Sequence, residues 1–182
     1  KSGAIVSRSK IIFCIFNEKT MKKIQLIIYP NNILTQKARL VESINKEIKD
    51  LVKEMKRIMR ENNGVGLAAN QIGIDLSIFI AETGKEILTF INPKIIKLEG
   101  KEILMEEGCL SLPKIWGYIK RYPKISIEYL DLWGKKRKLT AKGLLSQIIQ
   151  HEIDHLNGIL FAQKAEKLFK LEEIKKEDLL EK

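Results

Sequence analysis

Residues 142–158, KGLLSQIIQHEIDHLNG, restrict the possible folds more than any other stretch. Leu144, Leu145, Ile148, Ile149, Ile153 and Leu156 recur at helical spacing, and Gly158 suits the position just past a helix end. A helix this apolar has to be buried, so the rest of the chain must cover it. The same helix carries the chain's two histidines, His151 and His155, with Glu152 between them. Buried imidazoles and a buried carboxylate need partners, because uncompensated polar burial costs roughly several kcal/mol. Positions i and i+4 share one helix face, so both imidazoles can point at one ion. Glu152 lies about 100° further round, off the ligand pair but within reach of a water beside the ion. This is the H-E-x-x-H arrangement of two ligands and one proton-transferring carboxylate.

The covering material reads as strands. Ser77–Ala81 and Ile87–Ile91 flank ETGKE, a hairpin turn; Lys101–Glu106, Lys124–Asp131 and Lys138–Thr140 follow. KKIQLIIYP after Met21 reads as a first strand. A second amphipathic helix is expected from Glu42 to Asn62, with Ile44, Ile48, Leu51, Val52, Met55, Ile58 and Met59 on its apolar stripe. The sign-alternating tail, KAEKLFKLEEIKKEDLLEK, suggests a third, surface-lying helix. The expected fold class is α+β: small antiparallel sheets wrapped around a buried central HExxH helix, with a C-terminal helix.

At 182 residues the chain fits a single domain, assigned to 21–182, behind an N-terminal extension over 1–20 that reads as a leader, a transit remnant or added residues. No apolar run approaches the roughly 20 residues of a membrane span. Two isolated cysteines, Cys14 and Cys109, make no disulfide framework and favour a reducing compartment. The net charge of +10 permits weak attraction to a polyanion, but lysines scattered along the chain do not indicate a dedicated phosphate site.

Two further stretches carry chemistry. In EEGCLSLP, a Cys109 thiolate could complete a His₂Cys set with the fourth position open; the stretch alone equally fits a small packed thiol. In NGVGLAANQIG, Gly64, Gly66, Ala68 and Ala69 leave room for a ligand near the backbone and Gln71 offers an amide donor, although a tight turn would use the same residues.

In order along the chain, GVGLAANQ (64–71), EGCLS (107–111) and QHEIDH (150–155) resemble the peptide deformylase family, from about Met21 onward. The resemblance implies an α+β fold and a hydrolase that removes the formyl group from the N-terminal methionine of nascent chains. It implies one divalent ion per chain, natively Fe2+, with Zn2+ or another divalent ion able to substitute. The ligands would be Cys109, His151 and His155, and Glu152 would be the proton shuttle. Gln71 and the Leu110 backbone N–H would stabilise the developing oxyanion. The backbone at Val65 and Gly66 would hold the peptide extended, and Leu144 and Ile148 would line the methionine pocket. Formyl-Met peptides are then the partners, with transient ribosome contact, no membrane and no sequence-specific nucleic acid. The compartment would be the bacterial cytoplasm, or an organelle matrix if residues 1–20 are a transit remnant. In LPKIWGYIKRYP many family members carry a differently composed loop, often with an arginine near Trp116, and Gln147 is polar where a pocket lining would be apolar.

Two rivals follow from the residues. A zinc endopeptidase would need a third ligand after His155, for which Glu166, Glu172 and Glu173 are the candidates. A basic RNA-binding module would need a fourth ligand to close a structural metal site, and Cys14 could supply it.

Overall fold

The computed structural model describes residues 24–170. The extension over 1–20, with Cys14, and the chain after Lys170 lie outside the described residues.

Helix α1 (Lys46–Glu61) starts where the Asn45 side chain accepts from Ile48 N at 3.1 Å, satisfying one of the donors a helix leaves open at its start. It is therefore shorter than the expected Glu42–Asn62, and Ile44 packs from the preceding segment. Among the described residues eight strands follow: β1 (Gly66–Ala68), β2 (Ile78–Glu82), β3 (Ile87–Glu99), β4 (Ile103–Cys109), β5 (Leu112–Arg121), β6 (Lys124–Leu130), β7 (Lys136–Lys142) and β8 (Lys167–Lys170). Helix α2 (Gly143–Leu156) lies between β7 and β8. All pairings are antiparallel, in a five-stranded sheet ordered β1-β2-β3-β6-β7 and a three-stranded sheet ordered β4-β5-β8.

The short run Ile78-Phe79-Ile80-Ala81 explains the layering. Successive side chains of a strand point to opposite faces. Ile78 and Ile80 join α1 (Leu51, Met55, Met59) in one core, while Phe79 and Ala81 join α2 (Ile148, Ile149) in the other. The two helices thus cover opposite faces of the same sheet, and β2 has no face left to be polar. Phe79 and Phe90 stack at 4.4 Å between centroids beneath α2.

The α+β class with two helices and small antiparallel sheets stands. The expected hairpin across ETGKE is present, with Glu82 opposite Ile87, although β3 runs on to Glu99 through two register shifts. Three expectations need correction. The described part of KKIQLIIYP, from Ile24 on, joins no ladder: Ile27 N donates to Gln71 O (2.7 Å) and Tyr29 N to Ser111 O (3.0 Å), so the segment straps two turns of the site instead. The stretch after EGCLS is strand β5, not a loop, because β4 pairs it from Ile103↔Arg121 to Cys109↔Leu112. The tail does not begin as a helix. Lys167–Lys170 is captured by the open edge of β5, where Phe169 meets the Tyr118 ring at 5.4 Å.

Candidate metal centre

Helix α2 carries His151 and His155 one turn apart, their rings edge to face at 4.9 Å between centroids. Strand β4 ends at Cys109, where the ladder shifts register and the chain turns into β5. That turn directs the thiol at the helix: Cys109 Sγ is 3.2 Å from His155 Nε2. One donor atom from each of Cys109, His151 and His155 lies within 4.8 Å of the other two. Donors held about 2.0–2.3 Å from a tetrahedral ion stand roughly 3.5 Å apart, so the set fits one divalent ion after small adjustments. Among the described residues it is the one cluster of this kind. Two buried polar atoms beside it, His155 Nδ1 and Glu152 Oε2, have no partner.

Glu107 and Arg121 hold the site from behind. Glu107 Oε2 lies 2.9 Å from His151 Nδ1, which orients the ring with its other nitrogen turned to Cys109. Arg121, only 2% exposed, donates to both Glu107 oxygens (2.8 and 2.9 Å) and to Asp154 (2.5 Å). Burial favours protonation of Glu107, but the Arg121 guanidinium and His151 outweigh it and hold the carboxyl at about 2. Burial pulls His151 down, yet its hydrogen bonds to Cys109 and Glu107 raise it well above its ordinary value. Burial dominates at His155, the His151 and Arg121 charges add to it and Glu107 opposes it only in part, so the ring is held well below its ordinary value and is neutral, as a metal ligand would have to be.

Glu152 points into the cleft from the same helix. It is 4% exposed, and burial pushes its carboxyl up to about 7, with His151 opposing and Glu107 adding. A Cβ at Gly66 would come within 2.3 Å of Glu152 Oε1 and 2.9 Å of Ile148 Cγ2, so this position of β1 tolerates no side chain. Gln71 is oriented through its Oε1, which accepts from Ala68 N at 2.9 Å; its Nε2 then reaches Ser111 Oγ (3.2 Å) and Cys109 Sγ (3.5 Å).

The cleft is a cavity of about 240 Å³ between β1 and β4, each the terminal strand of its sheet. Of the sequence candidates, Val65, Gly66, Gln71, Leu110 and Cys109 line it from the loops and strands. Leu144, Ile148, His151 and Glu152 line it from α2. His155 lies behind them and is 1% exposed. Leu144 is 63% exposed and forms the rim, whereas Ile148 is buried. Gln147 is polar for a structural reason: its Nε2 donates to Glu106 O at 2.7 Å and ties α2 to β4. Trp116 also lines the cleft, packed where Gly108 lacks a side chain.

Known proteins resemble this chain over the region that holds the site. The sequence profile of the family described as polypeptide deformylase matches residues 21–170. This chain belongs to the polypeptide deformylase family. The peptide deformylase of Thermoanaerobacter pseudethanolicus is 42% identical over 151 residues, covering 83% of this chain and 93% of that protein. That of Dictyoglomus turgidum is 45% identical over 133 residues, covering 73% and 86%. Among solved structures, a peptide deformylase from Synechococcus elongatus in complex with actinonin aligns with a TM-score of 0.78 at 35% identity, covering 80% of each chain. The peptide deformylase from Thermus thermophilus aligns with a TM-score of 0.73 at 41% identity, covering 76% of this chain and 83% of that one.

Reading the sequence missed the deformylase site's supporting residues. Glu107 stood inside a quoted motif without a role. Arg121, on a strand opposite Ile103, gave no local signal at all. Glu166, a candidate third ligand for an endopeptidase, is exposed and paired with Lys120 at 2.5 Å, away from the histidines; Glu172, Glu173 and Cys14 lie outside the described residues.

Proposed function

We propose that Cys109, His151 and His155 hold one divalent ion, natively Fe2+ with Zn2+ or another divalent ion able to replace it, and that Glu152 moves the proton in the family's reaction. That reaction removes the N-formyl group from newly synthesised polypeptides. As a family member the chain is a hydrolase acting on formyl-methionyl peptides, and formate is the product. The observation that carries the reading is the convergence of one thiol and two imidazoles within 4.8 Å beside a buried carboxylate, Glu152, whose Oε2 has no partner. Helix α2 is then the centre round which both sheets are arranged, since it bears two ligands and the proton shuttle.

A bound divalent ion supplies a polarised water and a Lewis acid for the formyl oxygen near neutral pH. Glu152 accepts the proton of the attacking water and then delivers it to the leaving amine; a carboxyl shifted upward by burial suits both halves of that transfer. Gln71 Nε2 and the Leu110 N–H stabilise the charge that develops on the formyl oxygen, a donor role typically worth ~10²–10³ in rate. The peptide lies extended along the free edge of β1 at Val65 and Gly66, as an added strand would. Its methionine side chain enters between Ile148 and Leu144. Glu107 keeps the His151 ring oriented and Arg121 keeps Glu107 ionised.

Among the described residues no helix is long and apolar enough to cross a membrane. Bacterial relatives such as those above support a cytoplasmic site of action.

Formate release from a formyl-Met peptide, with metal analysis of the same sample, tests the proposal. Stoichiometric ion and formate release that stops on chelation and returns with Fe2+ are expected. Full turnover by a metal-free chain would sink the ligand assignment.

A further inference from the structure

The most exposed large apolar side chain among the described residues is Trp133, 81% exposed, at the tip of the β6–β7 hairpin. It lines neither the deformylase cleft nor a core. A single exposed ring needs no explanation by itself, but the setting of this one does. Asp131 Oδ1 accepts from Trp133 N (2.9 Å) and Lys135 N (3.0 Å), and Asp131 Oδ2 accepts from Arg137 Nε (2.8 Å). Gly134, at φ 76°, closes the turn. The backbone under the ring is therefore fixed while the ring itself stays in water.

Cations flank the ring on both sides. Lys49, Lys53 and Lys56 of α1, at i, i+4 and i+7, line a groove of about 220 Å³ whose other wall is Leu132 and Trp133. Beyond the hairpin, a hollow of about 420 Å³ is lined by Lys94, Lys136 and Lys138 together with Arg137 and Glu128. Lys136 stands opposite Leu130, which packs into the core under α1, so Lys136 and Lys138 are on the α1 face of the sheet, while Arg137 between them stands opposite Tyr129 on the other. Lys53 is partly neutralised by Asp50 and Lys138 by Glu128. Lys49, Lys56, Lys94 and Lys136 make no ion pair among the described residues.

We propose that this face binds a single-stranded stretch of RNA without regard to sequence, with phosphates along the two lysine flanks and one base stacked on Trp133. An aromatic plate between cationic tracts matches a strand that carries charge on its backbone and π-faces on its bases. The lysines line two hollows, whereas a bilayer surface would meet a flat or convex patch. The choice of RNA over DNA rests on the deformylase reading: an enzyme whose substrate is a newly synthesised polypeptide works beside RNA.

The test is fluorescence anisotropy of a labelled, unstructured RNA of about 12 nucleotides titrated with the full chain, with formate release and thermal midpoint measured on every variant. Binding is expected to weaken linearly in a log–log plot against salt. Trp133→Ala should weaken it at least roughly five-fold. The pairs Lys49→Glu/Lys56→Glu and Lys136→Glu/Lys138→Glu should each weaken it more than that, while Lys167→Glu on β8 leaves it unchanged. All variants should keep their formate release. RNA binding that is absent at low salt, or equal in Trp133→Ala and both lysine pairs, would overturn the proposal. So would equal affinity for single-stranded DNA of the same sequence, or capture by phosphatidylglycerol vesicles in place of RNA. A wild-type chain that binds RNA but releases no formate would overturn the deformylase reading and leave this surface standing.

Discussion

Helix α1 buries Ile48, Leu51, Val52, Met55, Ile58 and Met59 and leaves its charges in water, where Arg57 bonds Glu54 and Glu61 along the outer face. Helix α2, on the other side of the same sheet, buries Ser146, Gln147, Gln150, Glu152 and His155 along with its apolar residues. Most of those polar groups are answered individually. Ser146 Oγ and Gln150 Nε2 donate to Tyr122 O, Gln147 donates to Glu106 O, and Asn70 donates to the His155 carbonyl. Glu152 Oε2 and His155 Nδ1 are the exceptions, and both belong to the site. The contrast separates a helix that stabilises by area from one that gives up some stability to hold reactive groups out of water.

The largest effect expected is at Cys109. Cys109→Ala should empty the site and abolish formate release, with metal content measured by plasma emission; unchanged metal would return Cys109 to a packed thiol. Glu152→Gln should keep the metal and lose roughly 10²–10⁴ in turnover. Loss of metal in that variant would make Glu152 a ligand and undo the division of roles along α2. On α1, Met55→Ala should lower stability by about 2–5 kcal/mol in urea titration, while kcat on the surviving folded fraction stays at the wild-type level. A kcat loss at Met55 would mean that α1 shapes the site as well.

The pH dependence of the metal-free chain sharpens the comparison further. Glu107 is held at about 2, below its ordinary 4.5, so its stabilisation is complete above about 4.5 and is lost as pH falls towards 2. Glu152 is raised to about 7, so its contribution runs the other way and is lost as pH rises from about 4.5 through 7. The thermal midpoint should therefore fall on both sides, with Glu107→Gln shrinking the acid limb, to which the depressed His155 also contributes, and Glu152→Gln shrinking the neutral one, to which the raised His151 also contributes. A neutral limb undiminished in Glu152→Gln would show that its carboxyl is already ionised there. The smallest effect is expected at Arg57→Ala, whose urea midpoint should barely move, since exposed ion pairs on a helix contribute little.

Much of this molecule is legible in its sequence where the physics is local. The i, i+4 spacing of His151 and His155 needs only a helix to become a ligand pair, and ETGKE needs only its own turn chemistry to become a hairpin. Asn45 capped α1 later than the apolar stripe suggested, because Ile44 packs on the core without being helical. The start of the tail misled for a related reason. LFKLEE has the spacing of an amphipathic helix, but an unpaired edge of β5 offers Lys167–Lys170 hydrogen bonds that local propensity cannot foresee.

By itself, then, the sequence determined the helix that bears the histidines, the strand-rich body round it, and three motifs whose order identifies the family. Those features depend on neighbours within a turn or two. Only the tertiary structure decided that Cys109 meets His155, that Gly66 is bare because Glu152 stands against it, and that Arg121 is buried between Glu107 and Asp154. Each joins residues far apart in the chain, and such a contact exists only once the sheets have packed and the desolvated charges have found one another.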